Sequence, residues 1–301
     1  MARILISGSH GLVGKALSKA LAAEGHDIYS LVRYAPHTEK EIEWSPDRYS
    51  IAISRIEGFD AVYHLAGESI ASGRWNEEKK RKIRESRTKG TKLLSDALAN
   101  LSQPPKTLIS ASAIGYYGDR GDELLTETSP PGKDFLADVC VEWEKATEHA
   151  RAKGVRVVNT RFGIILDKEG GALAKMLTPF RMGIGGRIGA GKQWMSWIAL
   201  DDVIGALQFV LSNETLNSPV NFVGPNPVTN AEFTKTLGNV LSRPTLFPIP
   251  EFGVRLAFGE MADALLLSSQ RVEPSSLKQS GYEFRYAKLE SALRAILNGS
   301  N

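Results

Sequence analysis

Residues 3–17 read Arg-Ile-Leu-Ile-Ser-Gly-Ser-His-Gly-Leu-Val-Gly-Lys-Ala-Leu, and this stretch decides the fold. The apolar run at residues 4–6 predicts a buried strand, and apolar residues at helical spacing from position 12 to 21 predict a helix. Between them stand Gly8, Gly11 and Gly14, three residues apart. A strand, a tight glycine turn and a helix place backbone N–H groups and a helix N-terminus against a pyrophosphate. The stretch therefore predicts a dinucleotide site rather than an ordinary tight turn. The contacts predicted around the glycines come from Ser9, Leu12 and Val13.

The strand predicted over residues 27–33 indicates which dinucleotide binds. Sites for NAD usually place an acid after this strand to hold the ribose hydroxyls, whereas sites for NADP place a cation there for the 2′-phosphate. Here the strand ends in Arg33, and no Asp or Glu follows before Glu39. This pattern favours NADP(H). The alternative is that Arg33 is an ordinary solvated residue at a strand end.

Composition limits the class of protein. The chain has 301 residues, 42% of them hydrophobic, and a formal net charge of +3, which is too small to indicate nucleic acid as the main partner. The single cysteine, Cys140, excludes an internal disulfide and fits a reducing compartment. No apolar run reaches the length of a membrane span. Because the first strand starts within a few residues of Met1, we expect no signal peptide before it. The five histidines show no metal-ligand spacing. We therefore expect a cytoplasmic protein without membrane, nucleic-acid or metal partners.

Strands and helices alternate along the first half of the chain. Further buried strands are predicted over residues 60–67, 106–112 and 155–161, and helices over 76–99 and 135–153. This alternation predicts an α/β fold with a parallel, doubly wound Rossmann sheet, whose ligand lies along the edge where the strands end. The first of these strands ends in Leu65, Ala66 and Gly67, small enough for a backbone to lie against an adenosine.

The chain is predicted to divide near residue 168. We assign residues 1–168 to the NADP-binding domain, with sheet elements returning near 194–228, and residues 169–301 mainly to a smaller substrate lobe. The glycine-dense segment 182–193 predicts a mobile loop over the site. Residues 194–204 predict the start of a helix with Asp201 and Asp202 at its N-terminal end. The sequence Thr229-Asn-Ala-Glu232 is a capping box.

Several motifs together resemble the extended short-chain dehydrogenase/reductase superfamily. They are the glycine triplet, residues 65–67, Ser110-Ala-Ser112, the Tyr-Tyr-Gly at 116–118, the Arg-Phe-Gly at 161–163 and the Trp-Ile-Ala-Leu-Asp-Asp at 197–202. More narrowly, the Gly-Arg-Trp at 73–75, the Trp-Glu at 143–144 and the Gly-Ala-Gly-Lys-Gln at 189–193 are similar to the atypical YfcH or SDR39U-type NAD(P)-dependent epimerase family. Some of its members carry the label cell-division inhibitor SulA. The resemblance covers almost the whole chain, including the family's C-terminal segment at 247–297.

The resemblance implies roles for particular residues. In the superfamily a serine holds the reacting oxygen, a tyrosine passes the proton, and a lysine four residues later lowers the pKa of the tyrosine. Ser112 matches the serine. The tyrosine and lysine positions fall on Leu136 and Cys140, and no Tyr-x-x-x-Lys occurs in the chain. Tyr116 or Tyr117 is the candidate replacement phenol; the alternative is that both tyrosines only line a pocket.

The remaining cofactor contacts are also implied by the resemblance. Arg87 stands where the family has an asparagine, and we expect it to contact the cofactor. Ser110 and Ile165 complete the predicted cofactor site. The predicted function is an NADP(H)-dependent oxidoreductase or epimerase acting on a small polar substrate, with an anionic substrate and a homodimer left open. The alternative is a non-catalytic NADP(H)-binding regulator or redox sensor, linked to cell division.

Overall fold

The computed structural model describes residues 1–299 and shows one central sheet with helices packed on both faces. The predicted substrate lobe ends in Ser300 and Asn301, which lie outside the described residues. Within residues 1–299 the strands are β1 Arg3–Ser7, β2 Asp27–Val32, β3 Glu41–Ser45, β4 Ser50–Ile51, β5 Ala61–His64, β6 Thr107–Ala113, β7 Leu124–Leu125, β8 Arg156–Phe162, β9 Ile164–Leu166, β10 Trp194–Met195, β11 Trp197–Ala199, β12 Val220–Phe222, β13 Val228–Thr229 and β14 Arg271–Val272.

The helices connect these strands or follow them in the segment predicted as the substrate lobe. In the same described part of the chain they are α1 Leu12–Ala23, α2 Glu77–Ala99, α3 Phe135–Lys145, α4 Glu148–Ala152, α5 Gly171–Arg181, α6 Leu200–Ser212, α7 Asn230–Leu241, α8 Glu251–Phe258, α9 Glu260–Ala262, α10 Ser275–Gln279 and α11 Leu289–Asn298. Short 3₁₀ turns lie at Ile53–Arg55 and Ile114–Tyr117, and one π-helical turn spans Asp263–Leu267.

The central sheet has the order β12-β8-β6-β5-β1-β2-β3-β4. All neighbouring pairs are parallel except β3 and β4. The connections run outward from β1 in one direction and from β5 in the other, so the strand order reverses between these two strands. The prediction of a doubly wound Rossmann sheet is confirmed. Ligands of such sheets bind in the crevice at the reversal point, beyond the carboxyl ends of the strands.

Both faces of the sheet carry apolar side chains, which explains why helices pack on both of them. The strand residues Ile4 and Ile6 are fully buried beneath Leu17 of α1, together with residues of α6. Leu5 points to the opposite face, where Leu94 of α2 belongs to a second apolar cluster. Successive strand residues point to opposite faces, so a continuous apolar run such as residues 4–6 is typical of a strand that is buried on both sides.

Two predicted helices differ from those in the structure: one is interrupted, and the other begins later in the chain. The helix expected over 135–153 is interrupted after α3, where the Thr147 hydroxyl donates a hydrogen bond to the Glu144 carbonyl at 2.7 Å. This hydroxyl competes with the backbone for the carbonyl and separates α3 from α4. Residues 194–199 form β10 and β11 instead of a helix, and α6 begins only at Leu200, with Asp201 and Asp202 in its first turn.

Other local predictions have mixed outcomes. The capping box at Thr229 and Glu232 is confirmed at the start of α7. The segment 182–193, expected to be a mobile loop over the site, is held against residues 247–249 of the lobe. The N–H of Ile249 donates to Arg187 O at 2.8 Å, and the N–H of Gly189 donates to Ile249 O at 2.9 Å. Strands β3 and β4 were not predicted. Within residues 1–299 no helix is long and apolar enough to cross a membrane.

Candidate active site

The glycine turn between β1 and α1 has the backbone geometry that a pyrophosphate needs. Gly8 has a φ of +72°, and a Cβ there would lie 2.8 Å from the Leu65 carbonyl carbon. A Cβ on Gly14 would overlap the Gly8 carbonyl oxygen. Both positions therefore require glycine, one for its φ and its closeness to residues 65–66, the other for close packing of helix on strand.

Gly11 has a different role, because its surroundings are open. A Cβ on Gly11 would meet only the Gly8 carbonyl oxygen, at 3.3 Å. Gly11 is also the N-cap of α1, where no side chain accepts a helix N–H and no acidic residue stands in the first turn. The first N–H groups of α1 are therefore left for a ligand, and the positive end of the helix dipole faces an open surface. These features fit the pyrophosphate of a dinucleotide.

A buried hydrogen-bond chain fixes the turn against the end of β5. The Ser7 hydroxyl accepts from the N–H groups of Leu65, at 3.2 Å, and Ala66, at 3.3 Å. Its own hydrogen is therefore directed at His64 Nδ1, 2.7 Å away, and His64 Nε2–H donates to the Thr91 hydroxyl at 2.9 Å. Burial lowers the pKa of His64 to about 4, so the ring is neutral at pH 7.

A cavity of about 210 Å³ lies beside this turn, at the carboxyl ends of the strands. Its walls come from α1, from the residues after β5, from β6 and β8 and from α2 and α3. The lining residues are Val13, Leu65, Gly67, Arg87, Ala111, Ser112, Ala113, Trp143 and Phe162. Five residues predicted for the cofactor or the reacting oxygen therefore meet at one cavity.

Arg87 supplies the positive charge of this cavity. Its Nη1 donates to the Ile83 carbonyl at 3.0 Å, and its Cζ lies 5.0 Å from the centre of the Trp143 ring. Its guanidinium also lies within 4 Å of the place a Cβ would take on Gly67. Burial lowers the pKa of Arg87, which still carries its charge at neutral pH. A guanidinium has five N–H donors, so donors remain for an oxygen-rich ligand.

Ser112 is held by a buried ion pair that the sequence did not reveal. Its hydroxyl donates to Glu144 Oε1 at 2.7 Å. The same carboxylate binds Arg161 through two parallel hydrogen bonds, from Nε to Oε1 and from Nη2 to Oε2, each 2.8 Å long. Arg161 is 2% exposed. Because a carboxylate only accepts hydrogen bonds, the Ser112 hydrogen is already in use, and its oxygen offers a ligand only lone pairs.

The two candidate tyrosines do not reach the cavity. Tyr117 is fully buried, donates to Asn221 Oδ1 at 2.6 Å and accepts from Arg161 Nη1 at 2.9 Å. Burial raises its pKa to about 12. Tyr116 stacks on Arg161, with the guanidinium carbon 3.5 Å from the ring centre. Neither ring is among the residues that line the cavity. The hydroxyl of Tyr117 is already engaged by Asn221 and Arg161, which argues against it as the replacement proton donor, whereas the role of Tyr116 stays a prediction. Both rings contact Arg161.

The helix positions expected for tyrosine and lysine are packing contacts. A Cβ on Gly115 would lie 3.4 Å from Leu136 Cβ and 3.8 Å from Cys140 Sγ, so both side chains pack beneath the 3₁₀ turn. Cys140 is buried, and burial raises the pKa of its thiol to about 12. A thiol in this state is a poor nucleophile at neutral pH.

The remaining predicted residues lie around the same sheet edge. Arg33 is exposed directly after β2 and is not among the residues that line the cavity. Ser9 lies in the glycine turn, Leu12 packs against Gly170, and Ile165 is partly buried in β9. Ser110 lies two residues before Ser112 on the same face of β6, and its buried hydroxyl has no hydrogen-bond partner.

Three residues of this site were missed by sequence reasoning: Glu144, Arg161 and Trp143. All three stood in motifs that carried the resemblance, but spacing does not show that they converge. The Trp143 Nε1–H is buried without a partner, like the Ser110 hydroxyl. Within residues 1–299 no group of three or more His, Cys, Asp or Glu side chains is placed to hold a metal ion.

A doubly wound sheet with an open glycine turn at its reversal point defines a dinucleotide-binding protein of the Rossmann type. The model of the NAD dependent epimerase/dehydratase family matches residues 4–223, and that of a domain of unknown function, DUF1731, matches residues 249–296. The chain belongs to the NAD dependent epimerase/dehydratase family, within the group of epimerase family proteins that includes SDR39U1. The resemblance drawn from the motifs is confirmed. The cell-division label gains no support from these comparisons.

Relatives from distant organisms match over nearly the full length. An epimerase family protein of Mycobacterium tuberculosis is 44% identical over 290 residues, which are 96% of either chain. Human SDR39U1 is 36% identical over 300 residues, covering 98% of this chain and 99% of that protein. The crystal structure of human SDR39U1 with NADPH has a TM-score of 0.92, with 33% identity, and covers 99% of this chain and 100% of that one. A nucleoside-diphosphate sugar epimerase from Corynebacterium glutamicum matches with a TM-score of 0.82 and 39% identity, over 98% of this chain and 58% of that one.

Proposed function

We propose that this chain is an NADP(H)-dependent oxidoreductase or epimerase that acts on a hydroxyl-bearing, small polar substrate. The observation that carries the proposal is the uncapped N-terminus of α1 facing the open side of Gly11, next to a cavity that contains Arg87 and Ser112. The structure of human SDR39U1 with NADPH supports the choice of cofactor. A cytoplasmic location, a homodimer and an anionic substrate remain parts of the proposal.

Different residues of the chain bind different parts of the cofactor. The turn containing Gly8, Gly11 and Gly14 holds the pyrophosphate, and Arg33 at the end of β2 binds the 2′-phosphate. Leu65, Ala66 and Gly67 border the crevice after β5. The cofactor, when bound, would supply or accept a hydride. The buried Trp143 Nε1–H, on a side chain that lines the cavity, has no hydrogen-bond partner and could donate to a ligand or a water.

Ser112 sets the kind of substrate group that fits. Since its hydrogen is donated to Glu144, its oxygen accepts a hydrogen bond and orients a donor, such as a substrate hydroxyl. If the substrate hydroxyl is oxidised, its hydride would go to the nicotinamide. Its proton would pass to Ser112 Oγ while the Ser112 hydrogen passes to Glu144, so Ser112 can then donate to the carbonyl oxygen that is left. Arg161 holds Glu144 in place, which keeps the hydroxyl of Ser112 in one orientation.

The cofactor part of the proposal is tested by calorimetry. NADPH should bind more tightly than NADH, and Arg33→Ala should weaken NADPH binding by roughly tenfold or more, as expected for a lost charge-assisted bond to phosphate. NADH binding should be unchanged. Arg294→Ala, on an exposed surface of α11, is the matched control. An unchanged NADPH affinity in Arg33→Ala would remove Arg33 from the site.

The catalytic part is tested by following nicotinamide absorbance with a library of alcohols and the corresponding carbonyl compounds. Turnover with an alcohol and NADP⁺, lost in Ser112→Ala while NADPH still binds, is the expected result. If no compound reacts and Ser112→Ala changes nothing, the catalytic proposal fails.

A second function is favoured by the packing of Leu136 and Cys140, which leaves the site without the tyrosine and lysine of the superfamily. The chain would then be a non-catalytic regulator or redox sensor. It should distinguish NADPH from NADP⁺ in affinity and bind a partner protein in only one of these states. Equal affinities for the two forms would refute the sensor.

A further inference from the structure

The C-terminal lobe carries an apolar surface that the proposed function does not use. Apart from Met1, every large apolar side chain more than 50% exposed in residues 1–299 belongs to it. We call this surface the lobe patch; its members, all at least 65% exposed, are Met182, Ile184, Leu246, Phe247, Phe252 and Leu256. Concentrated apolar exposure of this kind marks an interaction site, whereas single exposed apolar residues do not.

The members of the lobe patch lie on segments that are neighbours in space. Residues 181–189 run beside residues 243–250. The Arg243 Nε–H donates to the Arg181 carbonyl at 2.8 Å, and Ile188 forms a bridge with Ile249. Pro250 is the N-cap of α8, so this helix continues directly from the second segment.

Helix α8 is apolar on both faces. Val254 is 5% exposed and faces the lobe, whereas Phe252 and Leu256, four residues apart on one helix face, are 74% and 75% exposed. A surface helix normally has one apolar face, directed at the core, and a polar one. Within residues 1–299 nothing covers the outward apolar face of α8, so this face is available for a contact with another molecule.

The charges around the lobe patch indicate what that contact is. Residues 181–193 and 242–250 contain no Asp or Glu, but they contain Arg181, Arg187, Lys192 and Arg243, all exposed. The one arginine of α8, Arg255, is paired with acidic residues of α8 and of the π-helical turn. The two loop segments thus add only positive charge to an apolar surface.

We propose that the lobe patch docks on an anionic lipid surface. Its apolar side chains enter the boundary between headgroups and acyl chains, and its arginines and lysine bind the lipid phosphates. A second copy of the chain fits less well, because a twofold contact would bring the same four cations of each copy together. The sequence predicts no membrane partner because no segment is long enough to span a bilayer. A protein can bind the surface of a bilayer without such a segment.

Vesicle flotation of the full chain tests the proposal. The protein should float with vesicles of phosphatidylcholine and phosphatidylglycerol, should not float with phosphatidylcholine alone, and should be released by high salt. The double variant Phe252→Ser/Leu256→Ser should lower the partition constant by about tenfold or more, because two large side chains no longer enter the lipid. The double variant Arg181→Gln/Arg187→Gln should abolish the preference for phosphatidylglycerol.

Matched controls keep the experiment decisive. Ile53→Ser/Leu124→Ser removes exposed apolar residues outside the lobe patch, and Lys15→Gln/Lys19→Gln removes exposed cations on α1. Both should bind vesicles like the original chain, and melting curves should show that every variant is folded. No flotation with phosphatidylglycerol, or equal flotation of the apolar variant and the original chain, would overturn the proposal. A dimer in sedimentation velocity that Phe252→Ser/Leu256→Ser converts to monomer would overturn it in favour of a second copy.

Discussion

Lowering the pH from 7 to 5 should destabilise the protein through one buried imidazole, His64. The ring is fully buried between Ser7 and Thr91, and burial lowers its pKa to about 4, from 6.5. In the unfolded chain the ring is solvated and takes up a proton near pH 6.5. Neutral His64 therefore contributes fully to the free energy of unfolding above pH 6.5. This contribution is lost as the pH falls towards 4, because in this range the His64 ring takes up a proton only in the unfolded chain.

The size of the effect follows from the two pKa values. Each unit of difference corresponds to about 1.4 kcal/mol, so the loss in unfolding free energy is about 2 kcal/mol at pH 5 and about 3 kcal/mol below pH 4. This is a large share of the stability of a typical domain. At pH 5 most carboxylates are still ionised, so the effect of His64 on stability can be distinguished from the effect of carboxylate protonation.

Urea unfolding at pH 7 and pH 5 measures the effect. The original chain should lose about 2 kcal/mol more between these pH values than His64→Gln, whose side chain does not titrate. For each variant we compare the difference in unfolding free energy between pH 7 and pH 5. A destabilisation caused by the substitution itself is the same at both pH values and cancels in this difference. His37→Gln, at an exposed position, should behave like the original chain. If His64→Gln shows the same pH dependence as the original chain, the buried neutral imidazole is not the cause and the reasoning is refuted.

Further substitutions separate the roles of neighbouring residues. Gly11→Ala should lower the melting temperature less than Gly14→Ala does, because its Cβ would lie 3.3 Å from the Gly8 carbonyl oxygen and needs only a small shift there. It should weaken NADPH binding at least tenfold in calorimetry, because the new methyl group points at the open side where the phosphates are proposed to lie. Gly14→Ala should lower the melting temperature as well, because its Cβ overlaps the Gly8 carbonyl; equal melting temperatures in the two variants would contradict this assignment. Tyr117→Phe should cost about 1–3 kcal/mol in urea unfolding, through the lost bonds to Asn221 and Arg161, and should not change NADPH affinity. A Tyr117→Phe chain of normal stability that fails to turn over substrate would return this tyrosine to the catalytic role.

The parts of the fold that sequence reasoning predicted are those set by local patterns. Residues 4–6, the spacing of Gly8, Gly11 and Gly14, and the capping box at Thr229 each determine structure within a few residues, and the structure agrees with them. Strands β3 and β4 were missed because they are short and at the sheet edge, where the apolar signal is weak. The helix break at Thr147 depends on one side-chain hydrogen bond that competes with the helix.

The candidate site was predicted only in part, for a related reason. The cofactor turn is local, but the groups around Ser112 come from separate elements. Glu144 and Arg161 are 32 and 49 residues from Ser112, and the contact exists only because β6 and β8 are neighbours beneath α3. The tyrosines of the 3₁₀ turn looked available because they follow Ser112 closely. The structure instead directs Tyr117 into the core, against Arg161.

The crystal structure of this chain with NADPH would test the account most directly. We predict the pyrophosphate at the N-terminus of α1 beside Gly11, the 2′-phosphate next to Arg33, and the nicotinamide ring at the cavity lined by Arg87 and Ser112. Density for an ordered cofactor elsewhere, or a nicotinamide ring directed away from Ser112, would contradict it.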